Sequence, residues 1–325
     1  KSKFKINYNL ILNFLENKSQ VEFVTMVENS LMNLDIKKQI NLSNCEINKL
    51  THQIEKNNNL FNTLDFDIEK FFNNYFNIIE KTKFSKNKER KKYLRMKNQI
   101  EIENKDKLSY LDCYKENYNL IQQLNQEKEM LEYSKSFIQN QVEIIFQILK
   151  INCFMNDENK LSNIGLNASY IHELPCLVFM DFYEKYLKHT LINEIDLLCI
   201  LSCFYDLKVR DDEKIINPEF MKDELKFIQD RINYYIDYEL KNEIYISAKY
   251  KLQYDLMQYM KKWYIEVTNQ DECLFFFNYM KKNSTIFVGD FIRSCLKIIN
   301  MLNEIKIICT NDNNYKLLEM VENIQ

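Results

Sequence analysis

Apolar residues recur at intervals of three and four along most of this chain, the spacing that lines one face of a helix. Two short helical patterns cover residues 10–15 and 21–31, and from about residue 42 the pattern becomes long and free of breakers. Leu64, Ile68, Phe71, Tyr75 and Ile78 form a heptad-like seam, and Leu111, Tyr114, Tyr118 and Ile121 form a second. Together they predict an antiparallel coiled-coil hairpin whose polar tip is 81–97. Residues 137–149 predict a strongly apolar helix, whereas 161–171 alternate about Gly165 in the manner of a small hairpin. The remainder, from Pro175 onward, reads as amphipathic helices over 193–204, 250–264, 272–280 and 288–308. Another is opened by Asn217-Pro-Glu, with Pro218 at the first helical position. The expected class is all-α with at most a small β-hairpin near Gly165, and no internal repeat is present.

Composition sharpens this picture by exclusion. The chain has 325 residues with 2 Gly and 2 Pro, against roughly 7% and 5% in average usage. A P-loop needs two glycines within eight residues and a dinucleotide fingerprint needs three, so Gly165 and Gly289 can build neither. Barrels and sandwiches depend on many tight turns that this composition does not supply. With 46% hydrophobic and 28% charged residues the chain is globular rather than disordered. A net charge of -3 argues against coating nucleic acid by bulk charge and leaves room for a local basic groove. The 9 cysteines form no C-x-x-C pair and predict reduced, mostly buried thiols in an intracellular, reducing compartment. No apolar run is long enough to span a bilayer. The first residue is Lys1, so the sequence reads as a fragment.

Candidate chemistry is sparse. His52, His172 and His189 pair with no convincing nucleophile and stand at no zinc-finger spacing. Asp206, Asp211, Asp212 and Glu213 read as a solvated acidic loop. The tip 81–97 carries nine basic residues against one acid, Glu89. Lys86, Lys88, Arg90, Lys91 and Lys92 there suit phosphate contact, with Phe84 and Tyr93 as stacking rings, and a solvated hairpin end is the alternative. On 288–308, Asp290, Arg293, Lys297, Asn300 and Glu304 advance by 3, 4, 3 and 4. They form a polar stripe expected to point away from an apolar face of Phe291, Ile292, Cys295, Ile298, Ile299, Leu302 and Ile305.

Five segments, in order, resemble one family. The run Lys3-Phe-Lys-Ile-Asn-Tyr-Asn-Leu-Ile-Leu-Asn-Phe-Leu15 is similar to the segment that follows the second RecA domain of exosome-associated and superkiller-type DExH-box RNA helicases, in superfamily two. Leu161 to Glu173 resembles the Lys-Gly-Arg-hydrophobic-Ala stretch of that family, with Gly165 and Ala168 in register. Ile195-Asp-Leu-Leu-Cys-Ile-Leu-Ser-Cys-Phe204 is similar to its Leu-Leu-Ser-Cys-Phe helix, and Trp263 falls where a Trp precedes the last helices. Phe287-Val-Gly-Asp-Phe-Ile-Arg293 resembles the start of its final long helix.

The resemblance implies a winged helix split into 1–34 and 136–174, interrupted by a stalk at 35–135, and a C-terminal DSHCT-type bundle at 175–325 with 288–308 as its ratchet helix. The space between the stalk helices is too short for the family's small β domain, and the basic tip stands in its place. Two RecA domains, with their ATP and Mg²⁺ sites, lie outside this sequence, and no cofactor is expected in the chain itself. The implied activity is that of an accessory region guiding single-stranded RNA through an ATP-dependent 3′-to-5′ helicase. The implied partners are RNA, the RecA domains and an RNA-decay complex, and no membrane. Lys297 takes the family's basic ratchet position, and Asn300 stands where the family has an acid. A DNA-unwinding cousin and a helical scaffold without a nucleic-acid role are the alternatives.

Overall fold

The computed structural model describes residues 6–189, 191–207, 209–210, 214–216, 218 and 220–324. The first segment holds α1 (Tyr8–Asn17) and α2 (Gln20–Glu28). Asn7 caps α1 by accepting the Leu10 amide at 2.9 Å, and Tyr8, Ile11 and Leu12 turn inward. Then come α3 (Leu31–Asn62), α4 (Ile68–Phe84), α5 (Asn87–Glu103), α6 (Lys105–Leu108) and α7 (Leu111–Ile151). After a turn follow α8 (Asn163–Ser169), α9 (Cys176–Phe182), a π-helical turn (Tyr183–Leu187), α10 (Glu194–Ser202) and α11 (Lys222–Lys241). A 3₁₀ turn (Ser247–Lys249) leads to α12 (Met257–Glu266), α13 (Gln270–Asn283), α14 (Val288–Asn311) and α15 (Tyr315–Ile324). Among the described residues the one β feature is an isolated antiparallel bridge between Met155 and Leu161, so the fold is all-α.

Contacts divide the chain into two compact units: Lys1–Glu28 with Gln139–Gln325, and Asn29–Ile138. In the second unit, α3 and α7 run antiparallel. Asn117 sits buried between them, accepting from Asn57 and donating to Asn58 at 3.3 and 3.2 Å, and Phe61 meets Tyr114 one turn along. An aromatic core forms where Phe72 stacks on Tyr114 at 4.9 Å, with Ile68 and Tyr75 buried beside it.

The expected seams are corrected in detail. Phe72 rather than Phe71 is fully buried on α4. On α7 the inward position is Asn117, and Tyr118 is 58% exposed. The inward stripe steps to an asparagine here, and apolar periodicity alone cannot register a polar core position.

The tip is corrected as well. Residues 81–97 are an exposed tip, but one that joins α4 to α5 rather than to α7. They comprise the last turn of α4, a break at Ser85 and Lys86, and the first two-thirds of α5. α5 lies along α4 through Ile100 and the Tyr75 hydroxyl, which donates to Glu101 at 2.7 Å. Beyond the break α5 opens on Asn87 at φ 51, in the left-handed region that Asn tolerates better than most residues.

In the first unit, α9 and α10 are buried along most of their length, and α12, α14 and α15 pack around α10. The hairpin expected at 161–171 is instead α8. Ser162 caps it by accepting the Gly165 amide at 3.1 Å and donates its own hydroxyl to the Cys153 carbonyl at 2.6 Å. Alternation over so short a run fits one helical turn with a capping serine as well as it fits a strand pair. The helix expected at Asn217-Pro-Glu starts later, at Lys222 behind a left-handed Met221 (φ 57); Pro218 lies outside any helix, and Asn217 and Glu219 lie outside the described residues. The region 250–264 is helical only from Met257, because residues 246–254 follow a 3₁₀ turn and then extended chain.

Candidate nucleic-acid interface

α14 carries the residues on which the functional reading turns. Its buried face comprises Phe291, Ser294, Ile298, Met301, Leu302, Ile305 and Ile308. Ile292, Leu296, Ile299 and Ile307 are exposed, so the side opposite the core is largely apolar, broken by Asn303 and Thr310, and the polar stripe runs along the flank. The expected opposition of polar and apolar faces is therefore corrected. At 100° per residue the stripe lies between the two apolar sides, not across from the buried one.

The members of the stripe have separate fates. Arg293 is exposed and donates to Asp290 one turn back at 2.8 Å, and Asn300 is exposed to solvent. Lys297 is half-buried, with its ammonium 3.9 Å from the Glu173 carboxylate. Glu304 is only 9% exposed, and its carboxylate accepts the backbone amides of His172 at 3.1 Å and Glu173 at 3.2 Å. It thereby fixes the loop between α8 and α9 against α14.

That loop is one wall of a cleft of about 560 Å³. Its lining includes His172, Glu173 and Pro175 on one side, Phe204 and Asp206 after α10, and Lys249, Tyr250, Lys251 and Gln253 from the 3₁₀ turn and the chain after it, with Lys297 from α14. Three ammonium groups and a histidine thus face two carboxylates. Asp206 is occupied by Gln253, which donates to it at 3.0 Å, and Glu173 faces Lys297. Lys249 also sits 4.9 Å from the centroid of the Tyr250 ring. Lysines interleaved with aromatic rings can hold an anionic backbone while rings meet flat apolar groups.

Sequence reasoning reached Lys297 and missed Lys249, Lys251 and Gln253. The signal available was the Lys-Tyr-Lys triplet at 249–251, which the helical reading of 250–264 absorbed. Arg293 and Asn300 do not line the cleft. The acidic residues Asp211, Asp212 and Glu213 lie outside the described residues.

Burial pushes the Glu304 carboxyl up to about 6, with the two amides and Lys297 opposing and Glu173 reinforcing the shift. A carboxyl raised in the folded state holds its proton more tightly there than in the unfolded chain. Stability linked to it is therefore full below the unfolded value of 4.5 and falls as pH rises to about 6. Glu304→Gln stays neutral. Its stability relative to the parent should rise by about 2 kcal/mol between pH 4 and pH 7, which urea titrations at the two pH values would check. A constant difference between the proteins would contradict the assignment.

In the other unit, Lys86, Lys88, Arg90, Lys91 and Lys92 are all exposed at the start of α5. Among the described residues, Lys97 is the one of the nine basic residues at 81–97 with an ion partner, Glu101 at 3.4 Å. Lys81 lies over Tyr93 at 5.9 Å, and Phe84 is exposed at the end of α4.

The nine cysteines are free, and four of them are buried: Cys176, Cys199, Cys203 and Cys309. The expectation of mostly buried thiols is thus corrected, since Cys45 and Cys153 are exposed and three others partly so. Among the described residues no group of His, Cys, Asp or Glu is arranged to hold a metal ion, and no helix is long and apolar enough to cross a membrane. No protein-family model and no curated protein matches the chain.

Proposed function

We propose that this chain is the accessory, non-ATPase region of an ATP-dependent 3′-to-5′ RNA helicase, guiding single-stranded RNA while ATP is turned over by RecA domains of the same polypeptide. In this reading 1–34 and 136–174 form a split winged helix, 35–135 a stalk, and 175–325 a DSHCT-type bundle. The observation that carries it is the cleft in which Lys297, Lys249 and Lys251 stand beside Tyr250 and Phe204. The resemblance of α14 to a ratchet helix adds to it, with Lys297 at the basic position. Phosphates would compete with Glu173 for Lys297, and the rings would meet bases, with no bond made or broken in this chain. The exposed lysines and Arg90 at the start of α5 form a second basic surface for single-stranded RNA. An RNA-decay complex is the expected setting, inside a cell in a reducing compartment where the free thiols persist.

Filter binding of single-stranded RNA over a salt series tests this. Each lost phosphate contact flattens the log–log slope by about 0.7. Replacing Lys249, Lys251 and Lys297 together with Ala should therefore flatten it by about 2. Replacing Lys86, Lys88, Arg90, Lys91 and Lys92 with Ser should weaken binding about equally for all sequences. Parent protein that fails to bind RNA, or binds without salt dependence, would return the chain to a scaffold role. Preference for single-stranded DNA over RNA would favour the DNA-unwinding alternative.

A further inference from the structure

Away from the cleft, α13 leaves an unusual face uncovered. Leu274 and Phe275 are 57% and 69% exposed, Tyr279 is exposed beside them, and Asn278 completes the surface. The opposite side of the helix, through Phe276 and Met280, is buried. Scattered apolar residues on a surface need no explanation, but adjacent large ones on one helical face mark a contact. Charge is distributed along this face in a particular way. Asp271 stands exposed in the first turn and Lys282 in the last. Eleven residues, close to three full turns, separate them, so they share the face that carries Phe275 and Asn278. No ion partner for either is found among the described residues.

A partner of uniform charge could satisfy one end of this face only by opposing the other. A copy of the same helix lying antiparallel satisfies both. With a two-fold axis through the middle of α13, Asp271 meets Lys282 of the second copy and Lys282 meets its Asp271. The same operation sets Phe275 against Asn278, and brings each Leu274 toward its own copy on one flank and each Tyr279 toward its own copy on the other. Each position thus finds a complement in the inverted sequence, the condition for an isologous interface. We propose that two copies of this chain associate through antiparallel pairing of α13 about that two-fold axis. The pairing is independent of the RNA reading, because none of its residues lines the cleft.

Sedimentation of the full chain across a concentration series tests it. The parent should pass from monomer to dimer as concentration rises. Asp271→Lys alone, and Lys282→Asp alone, each turn two attractions into two repulsions and should weaken the dimer by about tenfold. The double exchange Asp271→Lys with Lys282→Asp restores opposite charges at both ends and should bring the dimer back to near parental strength. Phe275→Ser should leave only monomer, and because the residue is exposed its far-UV circular dichroism should match the parent. A parent that stays monomeric throughout, leaving the face to some other protein, overturns the proposal. So does a dimer that the single reversals leave unchanged, or a double exchange no stronger than the single ones.

Discussion

Gly165→Ala should destabilise the first unit by about 3 kcal/mol or more, a large loss for a single methyl group. Gly165 sits in the first turn of α8, where a Cβ would fall 1.9 Å from the Phe154 carbonyl oxygen and 2.9 Å from its carbon. Both atoms are main chain. The Phe154 carbonyl is held in turn by the Ser162 amide at 3.0 Å, so neither side of the contact can rotate out of the way. Relief requires α8 to move off the preceding turn, which would pull Ala168 and Asn167 from the core. Gly289 is the internal control: a Cβ there meets nothing within 4 Å. Gly289→Ala should leave stability unchanged or raise it by a few tenths, up to about 1 kcal/mol. Thermal melts of the two variants beside the parent decide the matter, and a Gly165→Ala protein that melts with the parent would show that the close approach is absent.

Glu239→Ala should cost about 4 kcal/mol and lower the melting temperature by about 10 °C. Glu239 is only 1% exposed at the end of α11, yet its carboxylate is fully engaged. One oxygen accepts the Tyr8 hydroxyl at 2.8 Å and the Ser247 hydroxyl at 2.6 Å. The other accepts the amides of Ile246 at 2.8 Å and Ser247 at 2.7 Å. Burial and the neighbouring carboxylate push the Tyr8 phenol well up, so it remains a donor throughout the accessible pH range. Truncation leaves four donors, three of them buried, without an acceptor and frees the start of the 3₁₀ turn that carries Lys249. Glu239→Gln keeps an oxygen for the amides and should lose about half as much. Equal losses for Ala and Gln would mean that the charge, rather than the acceptor geometry, sustains the site.

The helical class was legible because breakers are nearly absent and apolar spacing is regular. Leu197, Ile232, Ile298 and Ile305 all sit in helices and are buried. What escaped was polar structure. Asn117 occupies a core position between α3 and α7, and Glu304, read as part of a polar stripe pointing away from the apolar face, is a buried acceptor for two amides. Hydrogen-bond partners far apart in sequence leave no periodic trace. Lys297 was legible as a candidate because it lies on a long amphipathic helix. Lys249 and Lys251 were not, since their position depends on a 3₁₀ turn held by Glu239, and nothing in the local spacing announces that turn. Gly165 was noticed for its rarity, but its steric reason, the Phe154 carbonyl, exists only in the folded chain.

The order of the chain has a consequence for how the molecule assembles. Residues up to Glu28 belong to a unit whose remainder starts at Gln139, with the whole of Asn29–Ile138 between them. During synthesis the first two helices emerge and must wait, with Tyr8 lacking Glu239 and Asn9 lacking the Ile171 carbonyl that it will bond. Joining them across an open loop of that length costs on the order of 4 kcal/mol in chain entropy. The antiparallel pairing of α3 with α7 reduces this cost by folding the intervening chain back on itself first. Asparagines at the α3–α7 contact should thus alter the rate at which the discontinuous unit closes, with mutations at Asn117 slowing refolding of residues that they never touch.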